Sequence, residues 1–270
     1  MTVLAQYRWG ELGNLRDVPP LPWGTAIGRT TSVNRSIIDS LNGSRTVDTI
    51  GPAGFSEWEL TWPLLTEVQT GAVMAAYLSS QSFYFVDSSH GNHLPASSFL
   101  SSNGSQALPI AGRGASGFTN ANSVSAGPVF RYTGVTPVEP GQLVYAGAFF
   151  RRVVSSIPVT VSVFLDFMDV LGAVISGPSF SYALTSSWVE VGFTQTAPAG
   201  TAWSRMAITS SATGSVSQPI IRVLGRSTLI ASSGYVPPGG SARVIVPDKP
   251  DIAVIAPLWR TASMRLLEVT

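Results

Sequence analysis

The sequence predicts an all-β protein built in two parts. Three observations carry this. Glycine (26 residues) and proline (19) are scattered through the 270-residue chain as turn punctuation. Between them lie short runs rich in Val, Ser, Thr, Phe and Tyr, in which apolar and polar residues alternate with period two. Only one run changes to helical spacing, and the length exceeds what one small domain commonly uses.

The first clear strand is Glu57 to Trp62, with Trp58, Leu60 and Trp62 on one face and Glu57, Glu59 and Thr61 on the other. The period then lengthens. Thr66 and Gln69 have capping-box spacing, and Val68, Ala72, Ala75 and Ala76 recur at helical intervals up to Leu78, with Gly71 weakening the pattern. Phe83 to Val86 returns to strand. From Asp87 to about Pro128 the chain is dominated by Ser, Gly, Asn and Ala, which bury little apolar area and read as loop or linker.

A second periodic region supplies strands at Val129–Tyr132, Gln142–Val153, Val159–Phe167, Ala173–Ile175, Trp188–Thr194, Arg205–Thr209 and Pro219–Leu224. Seven short strands at this spacing predict a sandwich. Ser232 to Pro250 is again rich in Pro and Gly, and Ala262 to Val269 alternates as a final strand that must pair with one of the two parts. The expected division is therefore 1–117, 118–230 and a return segment 231–270.

Composition bounds the function. Hydrophobic residues make up 44% and charged residues only 11%, against a usual charged share of about 25%, which excludes ordinary disorder and predicts large permanent interfaces. A net charge of +1 with no basic run gives no reason to expect a nucleic-acid partner. Cysteine is absent, so disulfides and thiolate chemistry are too. The residues after Met1 show no secretion pattern, and the apolar stretches Leu143–Phe150 and Ile157–Phe167 are far shorter than the roughly 20 residues of a membrane helix, so no membrane partner is expected.

Few residues offer chemistry. Gly112, Gly114 and Gly117 match a dinucleotide-loop spacing, but Phe118 onward does not supply the helix such a loop needs; the match reads as chance and no cofactor is expected. His90 and His93, beside Asp87, could ligate a metal, yet they read more simply as a surface turn, and no metal is expected. Asp166, Asp169 and Glu190 are the carboxylates of the second part, where a glycosidase would need two facing across a cleft; Asp169 reads as turn chemistry and Asp166 as a strand residue near it, so no catalytic residue is assigned. Among the aromatics Trp188 reads as a core anchor, while Tyr145, Tyr182 and Trp203 are the candidates for stacking against a sugar ring.

The run from Phe55 to Gln69, followed by Phe83–Asp87 and then His93–Ser98, resembles the N-terminal domain of minor tail proteins of phages that infect actinobacteria. Val138–Tyr145, Val161–Gly172, Thr185–Val191 and Thr196–Ala202 resemble, in that order, the jelly-roll carbohydrate-binding modules attached to xylanases. The resemblance implies a tail-tube-like β-sandwich or barrel with one short helix, the belt of a distal tail protein, plus an outward jelly-roll β-sandwich, with the final strand completing the belt. It further implies a homo-oligomeric ring of six copies. Its partners would be tail tube and tail hub proteins and host cell-wall glycan. Its place would be the tip of a virion tail assembled in the host cytoplasm. The activity so implied is mechanical, with glycan recognition as the alternative and glycan degradation the weakest.

Overall fold

The computed structural model describes residues 7–21, 27–31, 35–39, 45–49, 56–79, 81–87, 92–94, 109–113, 120–124, 130–131, 134–152, 158–212, 214–223 and 240–269. The first part carries strands β1 (Arg8–Glu11), β2 (Asn14–Asp17), β3 (Gly28–Thr31), β4 (Arg35–Asp39), β5 (Arg45–Thr49), β6 (Ser56–Leu65) and β7 (Phe83–Val86), with helix α1 (Glu67–Leu78) between the last two. The second carries β8 (Pro109–Arg113), β9 (Asn120–Val124), β10 (Phe130–Arg131), β11 (Thr136–Pro137), β12 (Leu143–Arg152), β13 (Thr160–Met168), β14 (Val174–Ser176), β15 (Ser179–Ala183), β16 (Val189–Thr196), β17 (Trp203–Ser210) and β18 (Gly214–Val223). Strands β19 (Ser241–Ile245), β20 (Asp251–Ala256) and β21 (Trp259–Glu268) follow.

An eight-stranded antiparallel sheet runs β2-β1-β7-β19-β21-β6-β3, with β20 also on β21. It stays open at both ends among the described residues, so the barrel alternative is corrected to an open sheet. The final strand pairs with β6 from Leu267↔Glu57 to Arg260↔Leu65. Alternation on β6 buries Trp58, Leu60 and Trp62 and exposes Glu59 and Thr61. Pro63, which lacks an N–H, falls where the register with β21 shifts, as proline in a paired strand requires. Trp58 lies 5.3 Å from Phe85, and Trp9 lies edge-on to Trp62 and Phe83 at 6.4 and 6.3 Å. The Trp62 indole N–H donates to the Pro19 carbonyl at 2.9 Å, so its burial leaves no lost hydrogen bond. Truncating either buried indole is worth about 3–5 kcal/mol.

Helix α1 begins as its sequence predicts: the Thr66 hydroxyl accepts from the Gln69 N–H, and the Gln69 side chain accepts from the Thr66 N–H at 2.9 Å. Its buried face is a correction. Thr70 and Val73 are buried and Ala76 packs on the core, whereas Val68 is 84% exposed. The helix is turned so that Thr70 faces inward, which is tolerable because its hydroxyl donates to the Thr66 carbonyl at 2.9 Å. At the end of this core the Glu268 carboxylate accepts from the Ser56 N–H at 2.8 Å; burial holds its carboxyl above the usual range.

The second part is a sandwich. A five-stranded sheet, β16-β12-β18-β9-β8, faces a six-stranded one, β10-β17-β13-β14 with β11 and β15 added at β17 and β13. Val144, Ala146, Ala148 and Phe150 of β12 meet Val161, Val163, Leu165 and Phe167 of β13 in a core without charge. Strands β8 and β9 correct the reading of 87–128 as loop. Their Ser, Asn, Ala and Gly content gives no alternation, yet β9 pairs with β18, a neighbour whose backbone supplies what the side chains do not. β18 bulges opposite Ala148, and Pro219 sits in that bulge.

Candidate functional site

Because Val144, Ala146, Ala148 and Phe150 point into the core, the odd-numbered residues of β12 point outward, and on β16 the outward set is Glu190, Gly192 and Thr194. Register places Gly147 opposite Gly192, Tyr145 opposite Thr194 and Phe149 opposite Glu190. Tyr145 lies along its strand across the glycine pair. A Cβ at Gly147 would sit 2.5 Å from the Tyr145 hydroxyl, and a Cβ at Gly192 would collide with the same phenol. Two residues of strand span about 6.8 Å, close to the reach of a tyrosine from Cα to hydroxyl, so the ring lies down on the sheet. The hydroxyl donates to Glu190 at 2.7 Å, which fixes the far end of the ring.

The result is a half-buried aromatic ring bedded on bare backbone. Phe149 continues the row, also half-buried, and Arg151 beyond it stacks over the Trp188 ring at 4.9 Å. Trp188 is therefore not the core anchor its position predicts; Val189 and Val191 take the inward places and Trp188 stays half-exposed beneath an arginine. A carboxylate has acceptor sites for several hydrogen bonds, so exposed Glu190 can hold Tyr145 and a ligand hydroxyl together. Such a row can stack the apolar faces of sugar rings and bond their rims.

The three predicted stacking residues do not converge. Tyr145 lies on the outer face of the five-stranded sheet. Tyr182 sits on β15 opposite core-facing Val161, at the sandwich edge, 38% exposed. Trp203 is half-buried on the six-stranded sheet between Met168 and Pro137. Missed in the sequence were Gly147, Gly192, Phe149 and the role of Glu190. The available signal was a single glycine inside each of two strong strands, a pattern that marks close approach of another group.

Each of the three carboxylates is engaged. Asp166 pairs with Arg205 at 3.0 Å on the six-stranded sheet. Asp169 accepts from the amides of Leu171 and Ala173 at 2.9 and 2.8 Å, the turn geometry its sequence implies. Glu190 holds Tyr145. Asp166 and Glu190 stand on opposite outer faces with the core between them, so these two do not face across a cleft.

The histidine turn is corrected. His90 lies outside the described residues, but His93 is 1% exposed and Asp87 6%. Nδ1 of His93 accepts from the Val223 N–H at 3.3 Å, which places it between the two parts rather than on the surface. Among the described residues no cluster of His, Asp or Glu could hold a metal ion, and no helix is long and apolar enough to cross a membrane. Of the glycine motif, Gly112 is in β8, and the next described element is strand β9 where a dinucleotide loop would need a helix. Gly114 and Gly117 lie outside the described residues.

No protein-family model and no curated protein sequence matches the chain. Among solved structures the chain is similar to the CBM22-1-GH10 modules of Clostridium thermocellum endo-1,4-beta-D-xylanase 10B complexed with xylohexaose, at 13% identity and TM-score 0.34, over 47% of this chain and 25% of that one. It is similar to a family 16 carbohydrate binding module (15%, TM-score 0.29, 43% of this chain and 82% of that one). It is also similar to the CBM22-1 xylan-binding domain of Paenibacillus barcinonensis Xyn10C (10%, TM-score 0.28, 80% and 92%). The chain thus spans a quarter of the xylanase chain it matches. These neighbours are carbohydrate-binding modules, and at such scores they add nothing to the argument for this chain.

Proposed function

We propose that this is a non-catalytic structural protein of a bacteriophage tail tip that displays a glycan-binding sandwich from an assembly-forming β-unit. The observation that carries the glycan reading is the Tyr145 ring, laid over Gly147 and Gly192 and pinned by Glu190. A strand interior gives up two side chains there to make room for one flat aromatic surface. The ligand class is a neutral glycan chain whose sugar faces stack on Tyr145 and Phe149.

The assembly reading has its own support. The β20–β21 hairpin exposes Val254 (67%), Ile255 (57%) and Leu258 (72%), and a chain with 11% charged residues has little to keep such apolar surface from its copies. A ring of six copies between tail tube and tip, with tail tube and tail hub proteins as its neighbours, is the arrangement implied by the tail-protein resemblance.

Isothermal titration of the full chain with soluble host cell-wall polysaccharide tests the first reading. Binding is expected for the unmodified protein and lost in Tyr145→Ala; unmodified protein that binds no wall glycan overturns it. Light scattering with labelled electron microscopy of particles tests the second, which fails if the protein stays monomeric at high concentration and no label reaches the tail end.

A further inference from the structure

Asn92 and His93 are gripped from two sides. Toward the sandwich, the Asn92 side-chain oxygen accepts from the amides of Leu94 and Ile221 at 3.2 Å each, the His93 N–H donates to the Ile221 carbonyl at 2.7 Å, and Nδ1 of His93 accepts from the Val223 N–H at 3.3 Å. Toward the eight-stranded sheet, the Gly240 N–H donates to the Asn92 carbonyl at 2.9 Å and the Ser241 hydroxyl to the His93 carbonyl at 2.7 Å. The Thr136 hydroxyl donates to the same carbonyl at 3.2 Å. Ile221 and Val223 belong to β18 and Ser241 to β19, so one buried dipeptide ties the sandwich to the sheet.

The imidazole makes this tie depend on protonation. Nδ1 accepts a hydrogen bond only while it carries no proton, which leaves the ring neutral with its proton on Nε2. A second proton would turn Nδ1 into a donor facing a fixed donor. It would also place a cation in the small cavity that His93 shares with Arg8 of β1, Leu15, Val86, Pro137, Gln142 and Val223. Among the described residues the charged groups of the elements packed on it are Arg8, the two carboxylates that Arg8 engages (Asp17 of β2 at 3.0 Å, and Glu139 ahead of β12), and Asp87 on the histidine's own segment.

We propose that His93 is a proton-operated clasp: the neutral ring locks the sandwich against the eight-stranded sheet, and protonation of the ring as pH falls releases it. Amide hydrogen exchange on the full chain at pH 7.5 and 5.0, corrected for intrinsic rates, reads the clasp directly. The amides of Ile221 and Val223 are expected to lose protection about tenfold at pH 5.0, the scale of one lost hydrogen bond of ~1.4 kcal/mol. His93→Asn offers an oxygen near the place of Nδ1 and does not titrate, so its protection should stay level. Unchanged protection in the unmodified protein overturns the proposal, and so does an equal loss in His93→Asn, which would assign the change to the carboxylates. If the variant does not fold, the ring nitrogens of the unmodified protein decide: a protonated Nδ1 at pH 7.5, or a ring still neutral at pH 5.0, also overturns it.

Discussion

The two outer faces of the sandwich are built from the same alternation and have opposite characters. On the six-stranded face the polar side chains are closed on one another: Asp166 on Arg205 at 3.0 Å, Ser162 against Ser181 at 2.6 Å. On the five-stranded face two paired glycines leave bare backbone, and an aromatic ring is laid on it. A face whose groups are already partnered gains little from a ligand, because each new bond must replace an old one. On the glycine-backed face the Tyr145–Glu190 bond uses the rim of the ring and stacking uses its plane, so the binding proposal attaches to that face and not to the one bearing Trp203.

The largest break in this comparison is Gly192→Val. A Cβ at Gly192 would lie 2.6 Å from the Ala146 carbonyl oxygen and 2.7 Å from Tyr145 Cζ, so both strand spacing and the ring must move. Overpacking of this kind costs about 1–3 kcal/mol. Chemical denaturation is expected to show that loss, and titration with wall glycan to show no binding. A variant that keeps full stability would mean that Tyr145 does not lie where these contacts put it.

How far the sequence discloses this follows from what each signal reports. Alternation names the side of a strand, so Trp58, Leu60 and Trp62 and the final strand are legible, and so is the Thr66 cap, whose chemistry is local. Strands β8 and β9 are not, because their pairing comes from a neighbour and their own residues carry no period. Trp188 misleads because a large aromatic at a strand's start satisfies a core pattern equally well when an arginine covers it. His93 misleads in the other direction: Ser, Gly and Asn around it suggest a surface turn, but Asn92 and His93 are buried by bonds to residues some 130 positions away. Of the stacking site, Tyr145 was visible as an aromatic; its bed of Gly147 and Gly192 depends on a register between strands that no single run of sequence states.

A middle-sized test acts on the closed face. Asp166 and Arg205 are 14% and 23% exposed, and Gly177 leaves room for the carboxylate, since a Cβ there would come to 3.2 Å of it. Arg205→Met removes the cation and leaves a largely buried carboxylate without its partner. Part of that cost is relieved by remaining solvent, so about 1–2 kcal/mol is expected by denaturation rather than the larger penalty of a fully buried pair. Glycan affinity should not change. A loss of binding in this variant would place the ligand on the six-stranded face and invert the comparison.

The smallest effect separates the ring from its anchor. Tyr145→Phe keeps the aromatic surface and deletes only the hydroxyl that donates to Glu190 at 2.7 Å, in a solvent-exposed bond. Such a bond is worth about 0.5–1 kcal/mol at most, and the freed Glu190 is rehydrated rather than stranded. If stacking carries recognition, glycan affinity should fall by less than about fivefold, the range that this energy allows. A loss as complete as in Tyr145→Ala would mean that the Tyr145–Glu190 pair, not the ring face, makes the contact, and the glycine bed would then serve to aim a hydroxyl.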